Sequence, residues 1–261
     1  MTAETYGPIR IDWRGHVAVC EIDKPPYNHV SVELITDLAD AFEALDGDAR
    51  CRAIVLASAG KAFCGGADLQ APGGLASDGA MEAISPLYVQ AARLFTCRKP
   101  IVAAVQGSAV GAGLGLALVA DFRIAAPEAR FSANFVKLGF HPGFGISFTL
   151  ARLIGEQKAA LMMLTGRRVK PEEALAWGLV DAVVSHESLR EEALALAQEI
   201  AENAPLAVQS TRATIRGDLA EAVRAQTGIE FREQNWLKTT KDFAEGVRAV
   251  AERRPGAFVG G

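Results

Sequence analysis

Two short glycine-rich turns carry the clearest chemistry in this chain: Phe63-Cys64-Gly65-Gly66-Ala67-Asp68 and Val110-Gly111-Ala112-Gly113. Each follows an apolar, β-branched run, and glycine there lets another atom approach the main chain closely. A helix starting at such a turn presents unpaired N–H groups and the positive end of its dipole, which suits an oxygen carrying negative charge. Taken singly, either turn also serves as an ordinary tight strand-to-helix connection. Taken together, two peptide N–H donors from separate turns can converge on one carbonyl oxygen, an oxyanion hole for a developing enolate.

The same turns fail other fingerprints. Leu116 stands where a GxGxxG pattern begun at Gly111 needs its last glycine, and no acidic residue follows about 20 positions on to hold a ribose. Neither loop ends in the Gly-Lys-Ser/Thr of a phosphate loop. Nicotinamide and ATP are therefore not expected. Cys20, Cys51, Cys64 and Cys97 lie far apart without a CxxC pair, so no metal site is expected and reduced thiols are. The start, MTAETYGPIRIDWRG, lacks a basic flank followed by an apolar run. With the thiols, this points to a cytoplasmic chain. A net charge of −4 gives no footprint for nucleic acid or an anionic membrane surface.

The elements that must hold these turns read as an α/β core followed by helices. Strands are expected at Ile9 to Trp13, Val17 to Ile22 and Arg52 to Ala57, with a helix between the last two capped by Asn28 or Ser31. A helix follows around Ala80 to Phe95. Ile101 to Ala120 is a twenty-residue stretch without a charge, long enough to cross a bilayer. Its interior instead reads as a buried strand (Ile101 to Val105), a polar turn at Gln106-Gly107-Ser108, and a helix beginning among glycines 111, 113 and 115. Phe122 to Ala125 is a short strand. Beyond Gly155 the pattern turns helical, over 156–163, 171–177, 188–202, 205–235 and 240–253, with extended pieces near Arg168 and Val183. Alternating strands and helices favour parallel crossovers through about residue 155.

KAFCGGADL, followed by KPIVAAVQGSAVGAGLGLALVADFRIAA, resembles the paired signature of the crotonase (enoyl-CoA hydratase/isomerase) superfamily. PPYNHVSVEL, LTGRRVKPEEALAWGLVDAVV and DFAEGVRAVAERRPGAF are similar to its early, middle and C-terminal segments, so the likeness runs from about residue 8 to 258. The resemblance implies a spiral of βαβ units, with residues 1–200 as acyl-CoA-binding core and 201–261 as a helical oligomerisation region. It further implies trimers often paired into hexamers, and a coenzyme A thioester as ligand with no permanently bound cofactor. On it, the oxyanion donors are the amides of Ala67 and Ala112, and the Gly65 carbonyl accepts from the CoA adenine. Asn28 lies in the segment flanking CoA. Arg253 reaches a neighbouring subunit's CoA phosphates, a task suited to a guanidinium.

The chain departs from this pattern at the acid/base positions. Where the family's hydratases carry two glutamates, the resemblance places Gly115 and Phe135, and where a dienoyl isomerase carries an aspartate it places Gly143. Such groups contribute about 10² to 10⁴ in rate, so two-glutamate hydration is disfavoured. His141, six residues past Phe135, is the replacement acid or base the sequence offers, because imidazole titrates near neutrality. In a Pro-Gly turn it also fits a simple bond to backbone. His29, Lys137 and Asn134 rank below it, Asp68 fits a capping role, and Cys64 lacks a paired histidine. The reading is thus an acyl-CoA enzyme working through a thioester enolate, with decarboxylation, C–C cleavage or hydrolysis open. The alternative is a non-catalytic acyl-CoA binder on the same fold.

Overall fold

The computed structural model describes residues 4–67 and 85–261. Its strands are β1 (Glu4–Tyr6), β2 (Ile9–Arg14), β3 (Val17–Ile22), β4 (Ala53–Ser58), β5 (Ile101–Val105), β6 (Ser108–Val110), β7 (Phe122–Ala125), β8 (Arg130–Ser132) and β9 (Ala182–Val183). A seven-stranded sheet runs β1-β2-β3-β4-β5-β7-β9, and β6 pairs with β8 in a separate two-stranded sheet. The β1-β2-β3 meander is antiparallel and every later pairing is parallel. Crossovers are supplied by α1 (Val32–Gly47), α2 (Pro86–Leu94) and α3 (Ala112–Val119). This is the α/β arrangement that the alternating pattern predicts.

The strands β4 and β5 are buried along their whole length, as strands covered on both faces must be. One apolar cluster lies beneath α1 and α2. A second packs the other face against Leu189, Ala193 and Ala197. The helical portion follows as α4 (Ile146–Ile154), α5 (Glu156–Thr165), α6 (Pro171–Ala176), α7 (Leu189–Ala201), α8 (Pro205–Arg216), α9 (Leu219–Leu237) and α10 (Lys241–Ala251). The last two helices fold back onto the core: α9 lies against α2 and α4, and α10 against a 3₁₀ turn, Asn134–Leu138.

Several expected boundaries move, each for a local reason. The single helix expected over 205–235 is two, because Gly217 takes a left-handed φ of 55° and ends α8. Ser108 to Val110, expected as part of a turn and helix start, is strand β6. Ser31, not Asn28, caps α1, accepting from the Leu34 N–H at 3.2 Å. The helix expected around Ala80 to Phe95 spans Pro86–Leu94, and its first expected turn lies outside the described residues. The uncharged stretch divides into β5, β6 and α3. Among the described residues no helix is long and apolar enough to cross a membrane.

Candidate active site

The two glycine-rich turns are joined main chain to main chain. Cys64 and Ala109 form a parallel bridge, in which the Cys64 N–H donates to the Ser108 carbonyl at 2.9 Å and the Val110 N–H to the Cys64 carbonyl at 3.1 Å. Gly113 and Gly66 make this contact possible. A Cβ at 113 would lie 2.1 Å from the Cys64 carbonyl oxygen, and one at 66 would lie 2.7 Å from the Val110 oxygen and 3.9 Å from the Ala112 nitrogen. Side chains at either position would drive the turns apart.

Both candidate donors line one cavity of about 300 Å³. Ala67 bridges to Val30, but that bridge uses the Val30 N–H and the Gly66 carbonyl, at 2.9 Å. Ala112 is the first residue of α3, so its N–H has no acceptor within the helix. Among the described residues neither amide has a hydrogen-bond partner. The far end of α3 is closed by Arg123, fully buried, whose guanidinium donates to the carbonyls of Ala120 at 2.7 Å and Ala117 at 3.5 Å. A cation there complements the helix dipole whose positive end faces the cavity.

The walls are mainly apolar, with Leu87, Leu138, Phe140 and Phe144 among them. Phe135 and Phe140 meet edge to face at 5.5 Å. A Cβ at Gly115 would sit 2.5 Å from the Phe144 ring. Phe144 is fully buried and holds φ at 65°, a conformation costly for a bulky residue. Its turn is tied down by Glu230 of α9, which accepts from the N–H groups of Gly145 (2.7 Å) and Ser147 (3.0 Å) and from the Ser147 hydroxyl (2.5 Å). Burial outweighs these bonds and pushes the Glu230 carboxyl up to about 7. The space of a side chain at Gly143 is taken too: a Cβ there would lie 1.9 Å from the Tyr88 hydroxyl oxygen. That hydroxyl donates to Gln234 Oε1 at 2.8 Å, and Gln234 Nε2 donates to the His141 carbonyl at 2.8 Å.

The structure brings some of the expected residues to this cavity and takes others away. Gly65 and His29 line it, with His29 Nδ1 3.1 Å from the Gly66 carbonyl oxygen. The Gly65 carbonyl accepts no hydrogen bond among the described residues. Asn28 does not face the cavity. It is completely buried at φ 52°, its Nδ2 donating to the carbonyls of Ala59 (2.8 Å) and Ala62 (2.9 Å) and its Oδ1 accepting from the Lys24 N–H. Those bonds leave it no group for a ligand; it fastens the loop that carries Gly65. His141 is not among the lining residues either. Its ring turns back to the Pro142 carbonyl at 2.8 Å and borders a separate hollow beside Met163 and Leu164.

Burial pushes the Cys64 thiol up to about 12, consistent with an inert packing group. Asp68 lies outside the described residues. Arg253 borders a second hollow of about 720 Å³ together with Lys137, Arg168 and Arg254. This hollow shares Val110, Asn134 and Val250 with the first cavity. Tyr88, Phe144 and Glu230 were missed in the sequence. Their partners lie on distant elements, and no local spacing marks them.

A family profile described as enoyl-CoA hydratase/isomerase matches residues 12–261. The chain is 34% identical over 261 residues to the (E)-benzylidenesuccinyl-CoA hydratase of Thauera aromatica, covering 97% of this chain and 99% of that protein. The crystal structure of an enoyl-CoA hydratase/isomerase from Pseudoalteromonas atlantica superposes with a TM-score of 0.86 at 31% identity, covering 97% and 100% of the two chains. EchA1_1 of Mycobacterium paratuberculosis superposes at 0.84 with 32% identity, over 96% and 98%.

Proposed function

The chain belongs to the enoyl-CoA hydratase/isomerase family, and from that premise we propose that it grips the carbonyl oxygen of an acyl-CoA thioester between the N–H groups of Ala67 and Ala112. Processing of acyl-CoA is the role its family implies. What supports the finer reading is that Ala67 and Ala112 both line one cavity, their amides without partners among the described residues, on turns joined through their main chains. Two such donors in a mainly apolar pocket stabilise charge as it moves from Cα onto oxygen, and losing one costs about 10² to 10³ in rate.

The remaining contacts follow from the same placement. The Gly65 carbonyl, with no partner of its own among the described residues, accepts from the adenine amine. Lys137, Arg168 and Arg253 give the second hollow the charge to hold phosphate oxygens. Within this one chain Arg253 serves the hollow beside its own cavity. Leu206, Ile215 and Trp236, apolar and exposed on α8 and α9, are the contacts we assign to assembly into trimers or hexamers. Hydration through two glutamates is not part of the reading, because Gly115 and Phe135 have no proton to give.

The test uses acetoacetyl-CoA, whose enolate has its own ultraviolet absorption. Ala112→Pro removes the N–H at the first helical position, where proline is well tolerated. The wild type should bind this thioester and enrich its enolate, and the variant should bind without enrichment. Equal enrichment in both would overturn the assignment of Ala112. Binding without enrichment in the wild type, and no turnover of enoyl-, malonyl- or β-ketoacyl-CoA, would establish the non-catalytic binder instead.

A further inference from the structure

From the Ala112 amide outward, the cavity wall is built of aromatic rings. The tip of the Phe135 ring, Cζ, lies 3.7 Å from the position of a Cβ on Gly111, the residue before that amide. One turn further along α3, the Phe144 ring stands against Gly115. Phe140 meets Phe135 edge to face, with centroids 5.5 Å apart and ring planes at 67°. Tyr88, from α2, occupies the space a side chain at Gly143 would need, beside Phe144. All four rings line the same cavity as Ala67 and Ala112.

Three of these rings are held from outside the cavity. Phe140 packs edge-on against Phe243 of α10, with centroids 5.4 Å apart. Tyr88 packs edge-on against Phe231 of α9 at 6.2 Å, and its hydroxyl donates to Gln234 Oε1. The turn that carries Phe144 is fastened by the Glu230 carboxyl. With the Tyr88 hydroxyl given to Gln234, the four rings offer a ligand no free hydrogen-bonding group. Among the described lining residues there is no methionine to flex around a long chain.

A wall of fixed shape costs a rigid ligand little ordering and a flexible one much. At about 300 Å³ the cavity is at the small end for ligand sites, and the thioester itself takes part of it. Aromatic rings prefer edge-to-face or offset neighbours, and each such pair adds about 2- to 12-fold in affinity beyond the burial of its surface. Resting on the reading that the thioester oxygen sits between Ala67 and Ala112, we propose that the acyl group this site takes ends in an aromatic ring. The ring is carried on a short link to the carbonyl and bears no polar substituent. Phe135 and Phe140, the edge-to-face pair that starts beside Gly111, are the residues that select it.

The experiment is calorimetry with 3-phenylpropionyl-CoA, 3-cyclohexylpropionyl-CoA and nonanoyl-CoA, which have the same number of acyl carbons. Saturating the ring adds apolar surface, so burial alone would make the cyclohexyl ester bind more tightly. The wild type should instead bind the phenyl ester about threefold or more tightly than either of the others. Phe135→Leu and Phe140→Leu keep apolar bulk and remove one ring each. Each should cut the preference for phenyl over cyclohexyl by about twofold or more, with the Kd for acetyl-CoA changed less than about twofold. Acetyl-CoA binding also reports that a variant is folded, and the wild-type series decides the matter without either variant. A cyclohexyl or nonanoyl ester bound as tightly as the phenyl ester overturns the aromatic assignment and, where acetyl-CoA binds, leaves the two-amide site standing. A preference unchanged in a folded variant overturns the part given to that residue. A wild type that binds none of these thioesters overturns the site itself.

Discussion

The Phe144 ring stands in the space a side chain at Gly115 would need, 2.5 Å from the position of its Cβ. Neither residue is explained without the other. Glycine at 115 is required by the ring, and the ring is held there by a backbone in the left-handed region. Placing a glutamate at 115 is therefore a packing problem before it is a chemical one. Gly115→Glu alone should destabilise the fold by about 1–3 kcal/mol through overpacking, read as a shift in urea midpoint. Gly115→Glu with Phe144→Ala should recover part of that loss. A single variant as stable as the wild type would show that the ring moves freely.

Glu230 gives stability a pH dependence of definite sign. Its carboxyl lies at about 7 in the folded chain, above its ordinary 4.5, so between those values the folded state holds more protons than the unfolded one. Stability should fall as pH rises through that window, by on the order of 2–3 kcal/mol. Urea denaturation at a series of pH values measures it. Glu230→Gln should flatten the slope in this window, and an unchanged slope would assign the effect to another group.

Asn28 acts on the site through the loop it fastens. Asn28→Ala leaves the carbonyls of Ala59 and Ala62 without this donor and should cost about 1–3 kcal/mol of stability. Thioester affinity should weaken because the Gly65 turn loosens. Affinity lost with stability intact would instead mark Asn28 as a direct ligand contact.

Arg253 is exposed, so its contribution to affinity is that of a screened charge. Arg253→Ala should raise the Kd for free CoA by about two- to fivefold and make its salt dependence shallower. Dephospho-CoA, which lacks the 3′-phosphate, should show which phosphate the arginine serves: a smaller effect of the substitution there points to the 3′ group.

The meeting of the two glycine turns was legible in the sequence; the side chains around the cavity were not. Glycines at 66 and 113 announce that something must come close, and the two turns do meet there. His141, the sequence's candidate acid or base, turns away to its neighbour's carbonyl. Tyr88 gives no such signal, since its partner Gln234 lies 146 residues further on and its empty neighbour at 143 looks like any turn glycine. Buried strands such as β4 and β5 declare themselves through unbroken apolar runs. The break between α8 and α9 rests on one backbone angle at Gly217, which helical spacing on either side conceals.

The closeness of the two turns is written in missing atoms. Because Gly66 and Gly113 set the spacing of the two turns by what they omit, a single added methyl at either position should pry the seam open.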